Sequence, residues 1–82
     1  MPDALPSQLE WRRFLAVLSQ LGYVIYKEGP GSSRTFLNSS GRDPKVVTFH
    51  EPHNPGTLAK GTLREYIRKL KLSRDDFLKL LD

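Results

Sequence analysis

Trp11, Phe14, Leu15, Leu18 and Leu21 recur at the spacing of one helix face, and the stripe stops at Gly22. An apolar stripe of that kind has to be buried, and the residues after it say against what. Tyr23–Lys27 is β-branched and aromatic, which favours a strand. Two similar runs follow, Ser33–Leu37 and Lys45–His50, set off by the turn-forming stretches Glu28-Gly-Pro-Gly-Ser and Asn38-Ser-Ser-Gly. In the third run Val47 and Phe49 fall on one face, and Val46 and Thr48 on the other. The pattern predicts a helix laid on a three-stranded antiparallel meander.

The helix is expected from about residue 8 to 21, with Ser7 as its cap and Glu10 at capping-box spacing. Residues 51–59, with Pro52 and Pro55, read as a loop. A second helix is expected over 60–71, burying Leu63, Tyr66, Ile67 and Leu70. Ser73 then caps a short third helix in which Phe77, Leu80 and Leu81 are apolar and Asp75 and Asp76 suit the positive end. The expected fold class is therefore α+β, in the order α-β-β-β-α-α, with the helices on one face of the sheet. Residues 8–82 form one domain behind a tail over 1–7. The aromatic residues Trp11, Phe14, Tyr23, Tyr26, Phe36 and Phe49 are expected in the core, with Tyr66 at its edge.

The chain has no cysteine, which removes disulfides, thiolate metal sites and a cysteine nucleophile, and suits a reducing compartment such as the cytoplasm. Met1–Pro6 has no basic segment followed by an apolar one, so no signal peptide is read. No apolar run approaches the roughly 20 residues of a membrane span. The formal charge is +4, and its placement matters more than its size. Lys60, Arg64, Arg68, Lys69 and Lys71 face only Glu65 within residues 60–71, so this one segment accounts for the excess. Lys60, Arg64, Arg68 and Lys71 share one face of the expected helix. Such a face is either solvated or binds phosphate.

In order and spacing these pieces resemble the HicA family of bacterial toxins. The matching elements are Leu21-Gly22, the strand Tyr23-Val-Ile-Tyr-Lys, the turn Gly31-Ser32, Phe36, Val47-Thr-Phe-His with a histidine-containing loop, and the helix start Lys60-Gly61-Thr62-Leu63-Arg64. The resemblance implies a fold like that of double-stranded-RNA-binding domains. It also implies mRNA endoribonuclease activity without a cofactor, and a HicB-like antitoxin as protein partner. RNA contact through Lys60, Arg64, Arg68 and Lys71 follows from the same resemblance. Typical members read Gly-Ser-His at the turn, with a catalytic histidine. Here the run is Gly31-Ser32-Ser33-Arg34, and Ser33 stands at that position.

Metal-independent RNA cleavage needs a base for the ribose 2′-OH and an acid for the leaving oxygen. Histidine titrates near neutrality and serine does not. Ser33 is left with phosphate hydrogen bonding, and the functional reading gives one or both of His50 and His53 either the acid–base work or a phosphate contact. The other reading of these histidines is as partly exposed loop residues. Two histidines with Glu51 beside them make a weak metal site, so none is expected. Arg34 is either a phosphate clamp or an ordinary hairpin arginine. Gly29-Pro30-Gly31-Ser32 lacks the Walker spacing and reads as a turn. The alternative to a toxin nuclease is a non-catalytic RNA-binding or antitoxin-binding module on the same fold.

Overall fold

The computed structural model describes residues 5–53 and 56–81. Residues 1–4 of the expected tail and Pro55 of the expected loop lie outside this range. Two small sheets and three helices make up the fold of the described residues. Strand β1 (Gln8–Glu10) runs directly into α1 (Trp11–Gln20), followed by β2 (Tyr23–Glu28), β3 (Ser33–Asn38) and β4 (Val46–His50). Strand β5 (Thr57–Ala59) runs directly into α2 (Lys60–Lys69), and α3 (Arg74–Leu81) closes the described chain. The meander expected from the sequence is present as an antiparallel sheet of order β2-β3-β4.

The start of α1 differs from the expectation. Residues 8–10 are not helical; they pair antiparallel with β5, with Leu9 opposite Leu58. Both leucines are 2% exposed, and Trp11 N donates to Gly56 O at 3.1 Å. The backbone groups that would open a helix at Ser7 are engaged in this ladder instead, so Glu10 rather than Ser7 stands at the cap, without a side-chain bond. The same ladder turns part of the expected 51–59 loop into a strand. Both major helices thus start from one pair of short strands.

The helix ends follow local chemistry. Gly22 adopts φ +95° just after α1, and a Cβ there would lie 2.7 Å from Ser40 Oγ. The second helix stops at Lys69, two residues earlier than expected. Lys71 sits in the left-handed region at φ 58°, Lys71 N donates to Arg68 O, and Leu72 N donates to Ile67 O. That is the Schellman arrangement, with lysine where glycine is usual. Lys71 therefore lies beyond the helix whose face it was expected to share. The third helix begins as expected, with Asp76 N donating to Ser73 Oγ.

The core lies between the helices and one face of the large sheet. Phe14 and Leu18 from α1, Leu63, Tyr66 and Ile67 from α2, and Phe77 from α3 meet Phe36, Val47 and Phe49. Leu5 is buried with them. Tyr26 breaks the expectation of a core aromatic: it is 68% exposed. The β2–β3 register shifts between Ile25 and Lys27, and this bulge leaves Tyr26 without a partner on β3. Among the described residues, no helix is long and apolar enough to cross a membrane.

Asn38 is the one buried polar side chain among the described residues. Its Nδ2 donates to Leu21 O, and its Oδ1 accepts from Ser40 N, Ser40 Oγ and Arg42 N. It ties the end of α1 to the β3–β4 turn. Asn38→Ala is expected to destabilise the protein by about 2–3 kcal/mol in urea unfolding, because it strands several buried partners.

Candidate active site

The faces of the large sheet follow from which residues are buried. Phe36, Val47 and Phe49 point toward the helices, so Ser33, Thr35 and Leu37 on β3 and Val46, Thr48 and His50 on β4 point away from them. On this outer face Ser33 stands directly opposite His50, and Thr35 opposite Thr48, whose hydroxyls lie 3.0 Å apart. Cross-strand partners of this kind bring their Cβ atoms to roughly 5 Å. The two residues singled out separately in the sequence, Ser33 and His50, are thus one pair. Ser32 Oγ approaches His50 Nδ1 at 3.5 Å, a long contact.

Beyond this pair the hairpin ends in a cleft of about 230 Å³, lined by Gly31, Ser32, Arg34, Glu51, Pro52 and His53. Arg34 braces it. Its Nε donates to Glu51 Oε1 at 3.0 Å, and its Nη1 donates to Gly31 O and Ser33 O, both at 2.9 Å. A phosphate reaching Arg34 has to compete with these bonds. Glu51 N donates to Ser32 O at 2.8 Å, carrying the strand pairing one step past His50. His53 is exposed at the rim, and among the described residues His50 and His53 have no third group with which to hold a metal.

The second helix serves the site on one flank only. Tyr66 Oη accepts from His50 N at 3.1 Å and donates to His50 O at 3.0 Å. Lys69, one turn further, donates to Thr48 O at 2.9 Å and lies over the Phe49 ring. These bonds occupy the free edge of β4, which no strand of the described residues covers. Tyr66, expected as a core-edge aromatic, is therefore also the clamp on the backbone of His50. Arg64 and Arg68 lie on the other flank. With Leu5, Ile67, Leu72 and the start of α3 they line a separate groove of about 500 Å³. Lys60 is exposed at the helix start. The structure thus brings Ser33, Arg34, His50 and His53 together, and sets Arg64 and Arg68 in a separate groove.

Four contributors were not singled out from sequence: Ser32, Glu51, Tyr66 and Lys69. The alternation of β4 gave a signal for two of them. Thr48 and His50 share a face and an edge, so an adjoining helix has to supply partners for both, and Tyr66 and Lys69 have the right separation.

A family model described as the HicA toxin of bacterial toxin–antitoxin systems matches residues 11–72 of the chain. No curated protein and no solved structure matches it. The matched stretch includes β2, β3, β4 and α2, and hence the whole cluster around His50.

Tyr66→Phe removes both bonds to the His50 backbone while keeping the ring. It is expected to cost about 1–2 kcal/mol and to speed amide exchange at His50 more than at Val47. Exchange measured residue by residue by NMR checks this.

Proposed function

The chain belongs to the HicA toxin family of bacterial toxin–antitoxin systems, and on that premise we propose that it is an mRNA endoribonuclease whose active histidine has crossed from β3 to β4. The supporting observation is the register of the hairpin. Ser33 stands at the position of the family's histidine by sequence resemblance, and His50 is its direct cross-strand partner on the same face. An imidazole on His50 reaches the neighbourhood that one on residue 33 would occupy.

The chemistry follows from that placement. His50 takes the proton from a ribose 2′-OH, the oxygen attacks the adjacent phosphorus, and the bond to the 5′ oxygen of the next nucleotide breaks. The products are a 2′,3′-cyclic phosphate and a free 5′-OH, whose proton comes from a general acid. His53, in the neighbouring cleft, takes that role. Ser32 and Ser33 hydrogen-bond phosphate oxygens, and Arg34 adds positive charge beside the hairpin. A step of this kind needs no metal and no cofactor. Acid–base assistance of this sort contributes about 10²–10⁴-fold each.

Lys60, Arg64, Arg68 and Lys71 hold the RNA backbone away from the scissile bond. The placement of Arg64 and Arg68 in a groove separate from the His50 cleft fits a division between grip and chemistry: phosphate contacts fix position, and the cutting residues lie elsewhere. The protein acts in the cytoplasm, where mRNA is found, and a HicB-like antitoxin restrains it. A non-catalytic RNA-binding module is the second reading, favoured by the serine at position 33.

Purified protein is expected to cleave single-stranded RNA, and His50→Ala to slow cleavage by about 100-fold or more. Ser33→His in the His50→Ala background returns the imidazole to the opposite strand and is expected to recover much of the loss. Wild-type cleavage by His50→Ala would remove this assignment, and no cleavage by any form would favour the binding module. Arg64→Glu with Arg68→Glu is expected to weaken RNA binding and flatten its salt dependence by about two contacts, measured by filter binding across a salt series.

A further inference from the structure

All four exposed large hydrophobic residues among the described residues lie on the large sheet. Val24 is 51% exposed, Ile25 51%, Tyr26 68% and Val46 53%. Three of them are consecutive on β2. They do not share a face. Val24 pairs with Leu37 and lies on the outer face, Ile25 pairs with the buried Phe36 and lies on the helix side, and Tyr26 occupies the bulge. A flat surface docking on either face would leave one of them uncovered. Each is exposed for a common reason: among the described residues β2 has a strand neighbour on one side only.

The two edges of the sheet are treated differently. The edge of β4 is occupied by Tyr66 and Lys69, which bond to His50 and Thr48. The edge of β2 has no such cover from another strand, and it carries the apolar residues. An edge of this kind is a template for another strand. From this asymmetry we infer that an extended segment of an acidic partner protein adds to β2 as a fourth strand.

Charge selects the occupant. Lys27 pairs with Thr35, so it projects on the outer face beside Val24. The charged side chain that β2 puts on that face is Lys27, and no carboxylate of the three strands lies there; Glu28, the next residue of β2, pairs with Arg34 and lies on the helix side. A second copy of this chain would bring another Lys27 and another net charge of +4 against it. Like charges across an interface cost affinity and opposite ones gain it. A lysine on an edge strand, together with a bulge, is also a device that keeps copies of one protein apart. A partner strand with an aliphatic residue for the Val24–Leu37 row and a carboxylate for Lys27 turns both features into recognition. Main-chain bonds along β2 supply affinity and the alternating side chains supply selectivity.

This inference rests on the toxin–antitoxin membership for the existence of a partner, and not on RNA cleavage. The test uses the full chain and the protein encoded beside it, co-expressed and purified. Binding is measured by calorimetry, and amide exchange is mapped with and without the partner. Val24→Glu and Lys27→Glu are expected to weaken binding by roughly 30-fold or more each, and amides of residues 24–27 to slow on complex formation. Lys79→Glu, on the exposed side of α3, serves as the control and leaves affinity unchanged. Circular dichroism shows that each variant is folded, and the exchange map gives the answer with the wild-type chain alone.

Failure of the wild-type chain to bind, or unchanged affinity in Val24→Glu together with unchanged exchange on β2, overturns the inference. A dimer of the isolated chain in sedimentation that Val24→Glu dissociates assigns the edge to a second copy and overturns it too. So does protection of β2 by RNA rather than by the protein. RNA cleavage by Val24→Glu is measured alongside. Loss of partner binding with cleavage intact supports the inference, and partner binding at β2 by a chain that never cleaves RNA leaves it standing while the nuclease reading fails.

Discussion

Phe49 is the residue on which the rest of the structure turns. Its ring lies 5.1 Å from Phe14 of α1, 4.6 Å from Tyr66 of α2 and 6.1 Å from Phe36 of β3, so one fully buried side chain joins both major helices to the sheet. Pointing Phe49 inward forces its neighbours outward, because side chains alternate along a strand. His50 reaches the outer face for that reason. A one-residue slip of β4 would bury the histidine and expose the phenylalanine, and the cost of exposing that ring fixes the register. Tyr66 works at both levels: its ring packs on Phe49 while its hydroxyl holds the backbone of His50. Core packing and placement of the candidate site are one set of contacts.

The same contacts make the sheet asymmetric. Covering β4 with α2 removes that edge from interaction and leaves β2 as the accessible one. The outer face then has two ends of different character. Val24, Leu37 and Val46 form an apolar row at one end, and Ser33 and His50 form a polar pair at the other. The rows lie four residue steps apart along extended β3, roughly 13 Å. The proposed protein partner and the proposed RNA strand would therefore have distinct footholds on a chain of 82 residues.

Periodicity in the sequence located the helices and the meander well, since each is written in local pattern. Trp11, Phe14 and Leu18 mark one face, and Val47 and Phe49 another. Cysteine-free composition and the cluster at Lys60–Lys71 were equally plain. The β1–β5 ladder was hidden because it joins Leu9 to Leu58, and three-residue strands leave no periodic trace. Tyr26 misled because β-propensity says nothing about a bulge. The end of α2 was missed because lysine rarely takes the left-handed position that Lys71 holds. For the site, Ser33, Arg34, His50 and His53 were singled out one at a time. Their union depended on the hairpin register, and the shift between Ile25 and Lys27 shows that register does not follow from counting alone.

That register bears on what Ser33 means. Read along the chain, a serine at the position of a histidine is a deletion. Read across the sheet, positions 33 and 50 are two anchor points for the same patch of the outer face. General acid–base chemistry depends on where a nitrogen atom is held, not on which strand carries it. An imidazole on β4 is held from two sides here, by the pairing with β3 and by Tyr66, which restrains the backbone of His50 from beyond the edge of the sheet. Under the proposed reading, the strand exchange of the histidine and the tyrosine clamp go together. A histidine near the end of an unclamped edge strand would be too mobile to hold the geometry that proton transfer needs.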